Sequence, residues 1–310
     1  MSLTSPVQNY YIVDVFTEHA FDGAQIAVFP DARDLNETQM QQLASELNLS
    51  DTVFLQALDN DRNYYQLRNF SPNSERQFAG QSIVGAAFVL AHCALVDTSQ
   101  PHTKLLFRLN NSETDVVISK SDAGFFIQFS RKAQSIVDRY VPTNSDLATA
   151  LSLNENDIVS NRHQPMLVSC DQPYLIVPLR SFSAVREATF NRKAWSSTVA
   201  PVSPTNEILL FSVKSDLPVS NFHGRLVGPG IGADDDPPIG SAIPAFTGYL
   251  SAYESVREGT YSFVIDRGTT ARRKSILSVE MIKRDGKENE IRVGGPAVLV
   301  ASGGIATPPS

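Results

Sequence analysis

Cysteine is nearly absent from this sequence. Only Cys93 and Cys170 occur in 310 residues, and they form no C-x-x-C pair. Two isolated cysteines cannot supply the disulfide framework that stabilises small secreted domains. We therefore expect a protein of a reducing compartment.

Basic residues and long apolar runs are also scarce. Lys and Arg number 26 against 33 Asp and Glu, which gives a net charge of −7. No overall positive field would attract nucleic acid or anionic lipid. The first basic residue is Arg33, and the longest apolar stretch, residues 83–96, is shorter than the roughly 18–20 residues that span a bilayer. We expect a cytoplasmic protein without nucleic-acid or membrane partners.

The common signatures of metal, nucleotide and acyl-transfer sites are missing. No two histidines stand two or four residues apart, as metal-binding pairs do. The five are His19, His92, His102, His163 and His223. Walker, G-x-G-x-x-G and G-x-S-x-G sequences are absent as well. These absences point away from metal and nucleotide chemistry.

The length and the apolar content favour two globular domains. About 150 residues per domain is usual, and 42% of the residues are hydrophobic. The polar stretch 131–144, which contains Pro142, is a candidate linker. We therefore expect domains at 1–135 and 136–310, and we leave open whether the last strand, near 297–305, returns to the first domain.

Two apolar helices stand among many short strands. Residues 82–95 are apolar on nearly every face, which predicts a helix that a sheet encloses. A second helix has Ile243, Phe246, Leu250 and Tyr253 on one face. Strands and helices do not alternate regularly, so we predict an α+β fold. The other predicted helices run from Asn36 or Thr38 to Asn48, 181–186 and 191–197, and the predicted strands are 11–16, 26–29, 53–55, 64–70, 104–108, 114–119, 125–129, 173–177, 208–213, 221–227, 261–265, 275–282, 290–293 and 297–300.

The start of the second apolar helix is a candidate anion site. Gly240 and Ser241 would expose backbone N–H groups there, and these groups and the helix dipole favour a carboxylate. Three acids precede them at Asp234, Asp235 and Asp236. A solvated turn would explain such a run, and so would a carboxylate that moves protons beside the anion.

Two further polar segments lie in the first half of the chain. Gly80 and Gln81 begin the enclosed helix, where they are either a plain helix start or a place of close backbone approach to a ligand. Ser50 and Asp51 lie between two apolar stretches. Asp51 is either a catalytic base or a turn residue that bonds its own backbone.

In this order along the chain, these segments resemble the PhzF-like family of phenazine-biosynthesis isomerases, which shares its fold with diaminopimelate epimerase. Residues 47–54 look like the segment that carries the family's catalytic glutamate. Residues 78–82 are similar to the family sequence F-A-G-H-P, and residues 232–242 are similar to E-D-P-A-T-G-S-A. Further likeness lies in residues 13–17, in residues 23–29 and in Arg267-Gly268 with Arg273 and Ser275.

The resemblance implies two similar α+β domains, each a sheet rolled around a central helix, with the active site in the cleft between them. It implies a homodimeric isomerase or epimerase that moves a proton on a small cyclic or amino carboxylic acid without a metal or cofactor. Epimerases of this fold use two cysteines, whereas Asp236 stands where the thiol motif would be. By position Asp51 would be the base, and the substrate would be bound by Ser50, Gly80, Gln81, Asp236, Gly240 and Ser241.

Two residues depart from the family pattern. Asp51 replaces the glutamate, so its carboxylate reaches about one C–C bond less far. Gln81 replaces the histidine and cannot titrate near neutral pH. Three hypotheses therefore stand: an isomerase with altered catalytic residues, a catalytically degenerate relative that binds a small anion without turnover, and a structural role through dimerisation.

Overall fold

The structure is a computed structural model that describes residues 6–59, 63–110, 112–161, 163–170, 172–199, 205, 207–213, 215–232, 236–253, 256–269, 272–284 and 288–309. Its strands are β1 Val7–Val15, β2 Ala24–Phe29, β3 Thr52–Asp59, β4 Tyr64–Phe70, β5 Glu75–Arg76, β6 His102–Leu109, β7 Ser112–Ser121, β8 Gly124–Ala133, β9 Ile136–Asp138, β10 Met166–Ser169, β11 Pro173–Pro178, β12 Ile208–Ser212, β13 Phe222–Val227, β14 Gly259–Thr269, β15 Arg272–Lys283 and β16 Asn289–Ala306. Its α-helices are α1 Glu37–Leu47, α2 Gly80–His92, α3 Asn144–Leu151, α4 Phe182–Glu187, α5 Arg192–Ala194 and α6 Ile243–Ser251.

The chain forms two compact units. Unit 1 comprises Met1–Arg131, Thr270–Ser275 and Arg292–Ser310, and unit 2 comprises Lys132–Thr269 and Ile276–Ile291. Residue 135, after which the sequence predicts the domain boundary, lies in unit 2. The strand near 297–305 lies in unit 1 and so returns to the first unit.

Unit 1 is a closed sheet around α2. Its strand order is β1-β2-β3-β4-β6-β7-β8-β16, and β1 pairs with β16 to close the ring. Every residue of α2 from Gly80 to Ala91 is buried. Gly85 lets the helix approach the sheet, because a Cβ at this position would overlap the Ile26 side chain. The predicted enclosure of an apolar helix is confirmed, although the helix begins and ends earlier than 82–95.

Helix α1 packs on the outside of this sheet through Met40 and Leu43, which contact buried aromatic residues of β2, β3 and β4. Its start at Asn36 and its end at Asn48 confirm the sequence prediction. The Asn36 side chain accepts from the Gln39 N–H at 2.9 Å, and the Gln39 side chain accepts from the Asn36 N–H at 3.0 Å. This reciprocal pair is a capping box.

We expect Asn36→Ala to lower the free energy of unfolding by about 1 kcal/mol, because the first turn of α1 loses its side-chain acceptor. Urea unfolding followed by circular dichroism measures the change. Asn36→Ser is the matched control, since serine is also a good N-cap residue. Equal losses in the two variants would show that the cap contributes nothing.

In unit 2, helices cover both faces of the sheet. Its order is β15-β14-β13-β12-β11-β10-β9. On one face the Phe246 ring of α6 lies 5.0 Å from the Phe211 ring and 5.2 Å from the Phe222 ring. On the other face α3 and α4 cover Ile208 and Leu210, which alternate with Phe211 along the strands. The predicted α+β class, with a sheet rolled around an apolar helix, is confirmed.

Some short elements differ from the sequence expectation. The candidate linker 131–144 contains β9, and β10 and α3 were not predicted. The strands predicted at 290–293 and 297–300 are one strand, β16, despite its Gly-Gly-Pro sequence. A Cβ at Gly294 would lie 2.8 Å from the Ile127 carbonyl, so glycine lets β16 lie close to β8. The Pro296 carbonyl still accepts a hydrogen bond, from the Phe16 N–H at 2.8 Å. In the described part of the chain, no helix is long and apolar enough to cross a membrane.

Candidate functional site

Asp51 is completely buried in unit 1, immediately before β3. Its Oδ1 accepts from the Asn69 side-chain amide at 2.7 Å, and its Oδ2 accepts from the Gln81 amide at 2.9 Å. We call these three residues the Asp51 cluster. Burying a carboxylate is costly unless hydrogen bonds compensate it, and here two neutral amides do so without a cationic partner among the bonds described.

Three chain segments supply this cluster. The backbone carbonyl of Asp51 accepts from the Ala27 N–H at 3.1 Å, which fixes the residue against β2. Asn69 belongs to β4, opposite Val53 of β3. Gln81 is in the first turn of α2. The structure therefore brings the predicted residues Asp51 and Gln81 into contact, and it adds Asn69, which sequence reasoning missed because no motif marks it.

The cluster lies at the amino end of α2. The N-cap residue, Ala79, has no side chain that could accept from the first turn, and Gly80 follows it directly. A helix start of this kind carries unpaired N–H donors and a partial positive charge. Within the described residues, the acceptor oxygens of Asn69 and Gln81 are buried without a hydrogen bond. Ser50 is half-buried and makes one long contact, 3.5 Å, with the Gln25 carbonyl.

Asp236 lies in unit 2, and two arginines hold it. Arg186 of α4 donates to Asp236 Oδ2 at 2.6 Å, and Arg267 of β14 donates to the Asp236 backbone carbonyl at 2.6 Å. Oδ1 is buried and accepts no hydrogen bond from the described residues. Asp234 and Asp235 lie outside the described residues. Sequence reasoning missed Arg186 altogether, and it singled out Arg267 only through the family resemblance.

Gly240 and Ser241 form a 3-10 turn that leads into α6. Gly240 is buried and Ser241 is half-buried. The Ala242 N–H donates to the Ile239 carbonyl at 2.9 Å, and no side chain caps the turn. The predicted donors, Gly240 and Ser241, follow Asp236 by four and five residues.

Arg273, another family-like residue, belongs to unit 1. Its guanidinium donates to Asp14 Oδ1 at 2.7 Å, and Asp14 Oδ2 accepts from the Phe21 N–H at 2.7 Å. Asp14 is fully buried, so this pair fixes the turn that precedes Gly23. We assign it no direct part in the chemistry.

Cys93 lies away from the Asp51 cluster. Cys93 is at the carboxyl end of α2, roughly 20 Å along the helix from Gly80 at 1.5 Å per residue. Its hydrogen bond to Tyr11 raises the pKa of the tyrosine. Cys170 is half-buried in unit 2. Over the described part of the chain, no three His, Cys, Asp or Glu side chains lie where they could hold a metal ion.

Comparisons with known proteins agree along nearly the full length. The family model for phenazine biosynthesis-like proteins, PhzC-PhzF, matches residues 13–303. An uncharacterized isomerase of Mesorhizobium japonicum is 29% identical over 302 residues, which cover 96% of this chain and 98% of that protein. The trans-2,3-dihydro-3-hydroxyanthranilate isomerase of Pseudomonas chlororaphis is 24% identical over 312 residues, 96% of this chain and 99% of that one.

The solved structures show the same fold. A phenazine biosynthesis protein of the PhzF family from Bacillus anthracis superposes with a TM-score of 0.84 at 19% identity, over 97% of this chain and 99% of that chain. Similarity at this identity shows the fold, and the family match over most of the chain shows the relationship. The chain belongs to the PhzC-PhzF family of phenazine biosynthesis-like proteins.

Proposed function

We propose that this protein is an isomerase that moves a proton within a small cyclic or amino carboxylic acid, with Asp51 as the base. The observation that carries the proposal is the Asp51 cluster, in which a fully buried carboxylate is held by two amides at the start of α2. Family membership supports it. One relative is named for an isomerase of a dihydro-hydroxyanthranilate, which is a cyclic amino carboxylic acid.

Asp51 has the acceptor capacity that the reaction requires. A carboxylate offers about four lone-pair sites, and the bonds from Asn69 and Gln81 use one on each oxygen. A free site can take a proton from a substrate carbon. As that C–H bond breaks, its electrons shift a double bond, and the proton forms a new C–H bond elsewhere on the same molecule. No electron is gained or lost, so the proposed reaction balances without a cofactor.

Gln81 limits the mechanism to one base. Its amide is neither an acid nor a base near neutral pH, so in this proposal Asp51 both removes the proton and returns it. The amides of Asn69 and Gln81 keep the carboxylate in place during both steps. That the backbone N–H groups of Gly80, Gly240 and Ser241 bind the substrate carboxylate stays a prediction of the family resemblance, as does the homodimer. The cytoplasmic location stays a prediction from the sequence alone.

The proposal is tested by incubating the purified protein in deuterated water with a panel of cyclic amino and hydroxy carboxylic acids. NMR follows both carbon-bound deuterium and the appearance of an isomer, because a shielded proton can be transferred without exchange. We expect at least one acid to react. If none of the panel exchanges or isomerises, the isomerase proposal fails.

A binding protein without turnover is the second candidate. The observation that favours it is that both oxygens of Asp51 already accept amide hydrogen bonds, while the neighbouring Gln81 cannot titrate. The double variant Asp51→Glu, Gln81→His restores the family residues. A gain of isomerase activity in an otherwise inactive protein would identify a decayed enzyme, whereas binding with no gain would identify a remodelled pocket.

A further inference from the structure

Asp236 is fixed through both its side chain and its backbone. Arg186 binds its carboxylate Oδ2 at 2.6 Å, and Arg267 binds its carbonyl at 2.6 Å. The Arg186 side chain is 17% exposed and that of Asp236 is 7% exposed, so water screens this ion pair little. We infer that Arg186 is a positioning residue, which orients Asp236 so that its Oδ1 accepts a hydrogen bond from an amino or hydroxyl group of the substrate. This inference rests on the proposed function and specifies its substrate class.

Arg186 is itself anchored. It lies near the end of α4, where the Arg225 guanidinium donates to the backbone carbonyls of Arg186 at 3.1 Å and Ala188 at 2.9 Å. At the other end of the helix, the Ser181 hydroxyl caps the Ala184 N–H at 3.1 Å. Because α4 is held at both ends, Arg186 can set the orientation of the Asp236 carboxylate.

The geometry leaves one carboxylate oxygen for a ligand. Oδ1 of Asp236 is buried and accepts nothing from the described residues, whereas most buried polar atoms are paired. Arg186 compensates the negative charge through Oδ2, so Oδ1 keeps its acceptor capacity without the full cost of an unpaired buried charge. A donor on the substrate would satisfy it. The site should therefore prefer acids that carry an N–H or O–H group beside the carboxylate over acids that lack one.

A purely structural role predicts something different. If the ion pair only ties residues 236–241 to α4, then its loss weakens every ligand equally or unfolds unit 2. If Arg186 orients Asp236, its loss removes the preference for the donor group and leaves binding of a bare carboxylate unchanged. The ratio of two affinities therefore separates the two roles.

The experiment compares anthranilate with benzoate, which share the ring and the carboxylate and differ only by the amino group. Isothermal titration calorimetry measures both on the full chain and on Arg186→Met, Arg186→Lys, Asp236→Asn and the double variant Arg186→Met, Asp236→Asn. A hydrogen bond to a charged acceptor predicts that the wild-type protein binds anthranilate about tenfold more tightly than benzoate. We expect Arg186→Met and Asp236→Asn to lose this preference, Arg186→Lys to retain part of it, and benzoate affinity to stay constant.

The outcomes are distinct. Loss of preference in Arg186→Met, with no further loss in the double variant, supports the inference, because Arg186 then acts through Asp236. A folded Arg186→Met or double variant that still prefers anthranilate as the wild type does overturns it. If Arg186→Met does not fold, the double variant decides, since it leaves no uncompensated carboxylate. A wild-type protein that binds neither acid overturns the proposed carboxylate site and the inference together, whereas equal binding of both acids overturns the inference alone.

Discussion

Replacing Asp51 with Asn is expected to lower the rate of proton exchange or isomerisation by about 10²- to 10⁴-fold, the usual contribution of a general base. Asparagine has nearly the same shape but no lone pair basic enough to take a proton from carbon. The rate is measured by NMR in deuterated water on whichever acid the wild-type protein turns over. An Asp51→Asn variant that reacts as fast as the wild type would remove Asp51 from the mechanism.

Two controls accompany this variant. Asp122→Asn makes the same change on an exposed turn between β7 and β8, and its rate should equal that of the wild type. Benzoate affinity of Asp51→Asn should also be unchanged, because binding does not require the base. If exchange and binding fall together, the substitution has disturbed the Asp51 cluster rather than removed only a proton acceptor. Asparagine has one side-chain oxygen, so it cannot accept from Asn69 and Gln81 on two separate oxygens as Asp51 does.

The sequence indicated Asp51 and Gln81 because their segments resemble family motifs. It could not indicate Asn69, which is the second-to-last residue of β4 and belongs to no motif. Asn69 reaches Asp51 only because β3 pairs with β4, with Val53 opposite Asn69. Such a partner depends on strand pairing across 18 positions, which local patterns do not encode.

The same limit applies in unit 2. Asp236 was expected near a helix start, but its partner Arg186 is 50 positions away on a short helix of ordinary composition. The resemblance indicated Arg267 as part of a motif without revealing that it binds the Asp236 carbonyl. Residues that touch a substrate in a family leave recognisable motifs, whereas the residues that orient them are found only from the packing.

Fold elements were predictable where local signals are strong. The capping residues Asn36 and Asn48 and the apolar faces of α2 can be read directly from the sequence, because caps and periodicity act within a few residues. β9 has only three residues, which are too few to show an alternation of apolar and polar side chains. Pro142 favoured the interpretation of this stretch as a linker, so the start of α3 at Asn144 was not predicted. The short length of β9 and its pairing with β10, rather than local residue preference, determine that it is a strand.

The largest expected effect on stability is in the last turn of α2. We expect Leu90→Ala to lower the free energy of unfolding by about 2–5 kcal/mol, because Leu90 has no exposed surface and its truncation leaves a cavity inside the closed sheet. Helix propensity works in the opposite direction, since alanine is the better helix former. The measured loss would therefore be a lower limit on what the burial of Leu90 contributes. Urea unfolding, monitored for each transition that the protein shows, gives the value.

Leu95→Ala is the matched control. Leu95 lies three residues beyond the end of α2 and is 52% exposed, so its truncation should change the free energy of unfolding by no more than about 0.5 kcal/mol. A similar small loss in both variants would mean that the sheet does not close on the helix in solution. The position of the candidate base depends on this closure, because the first turn of α2 presents Gln81 to Asp51. A large loss at Leu90 without one at Leu95 would therefore support the enclosure of α2, the helix whose first turn contains Gln81, by the sheet.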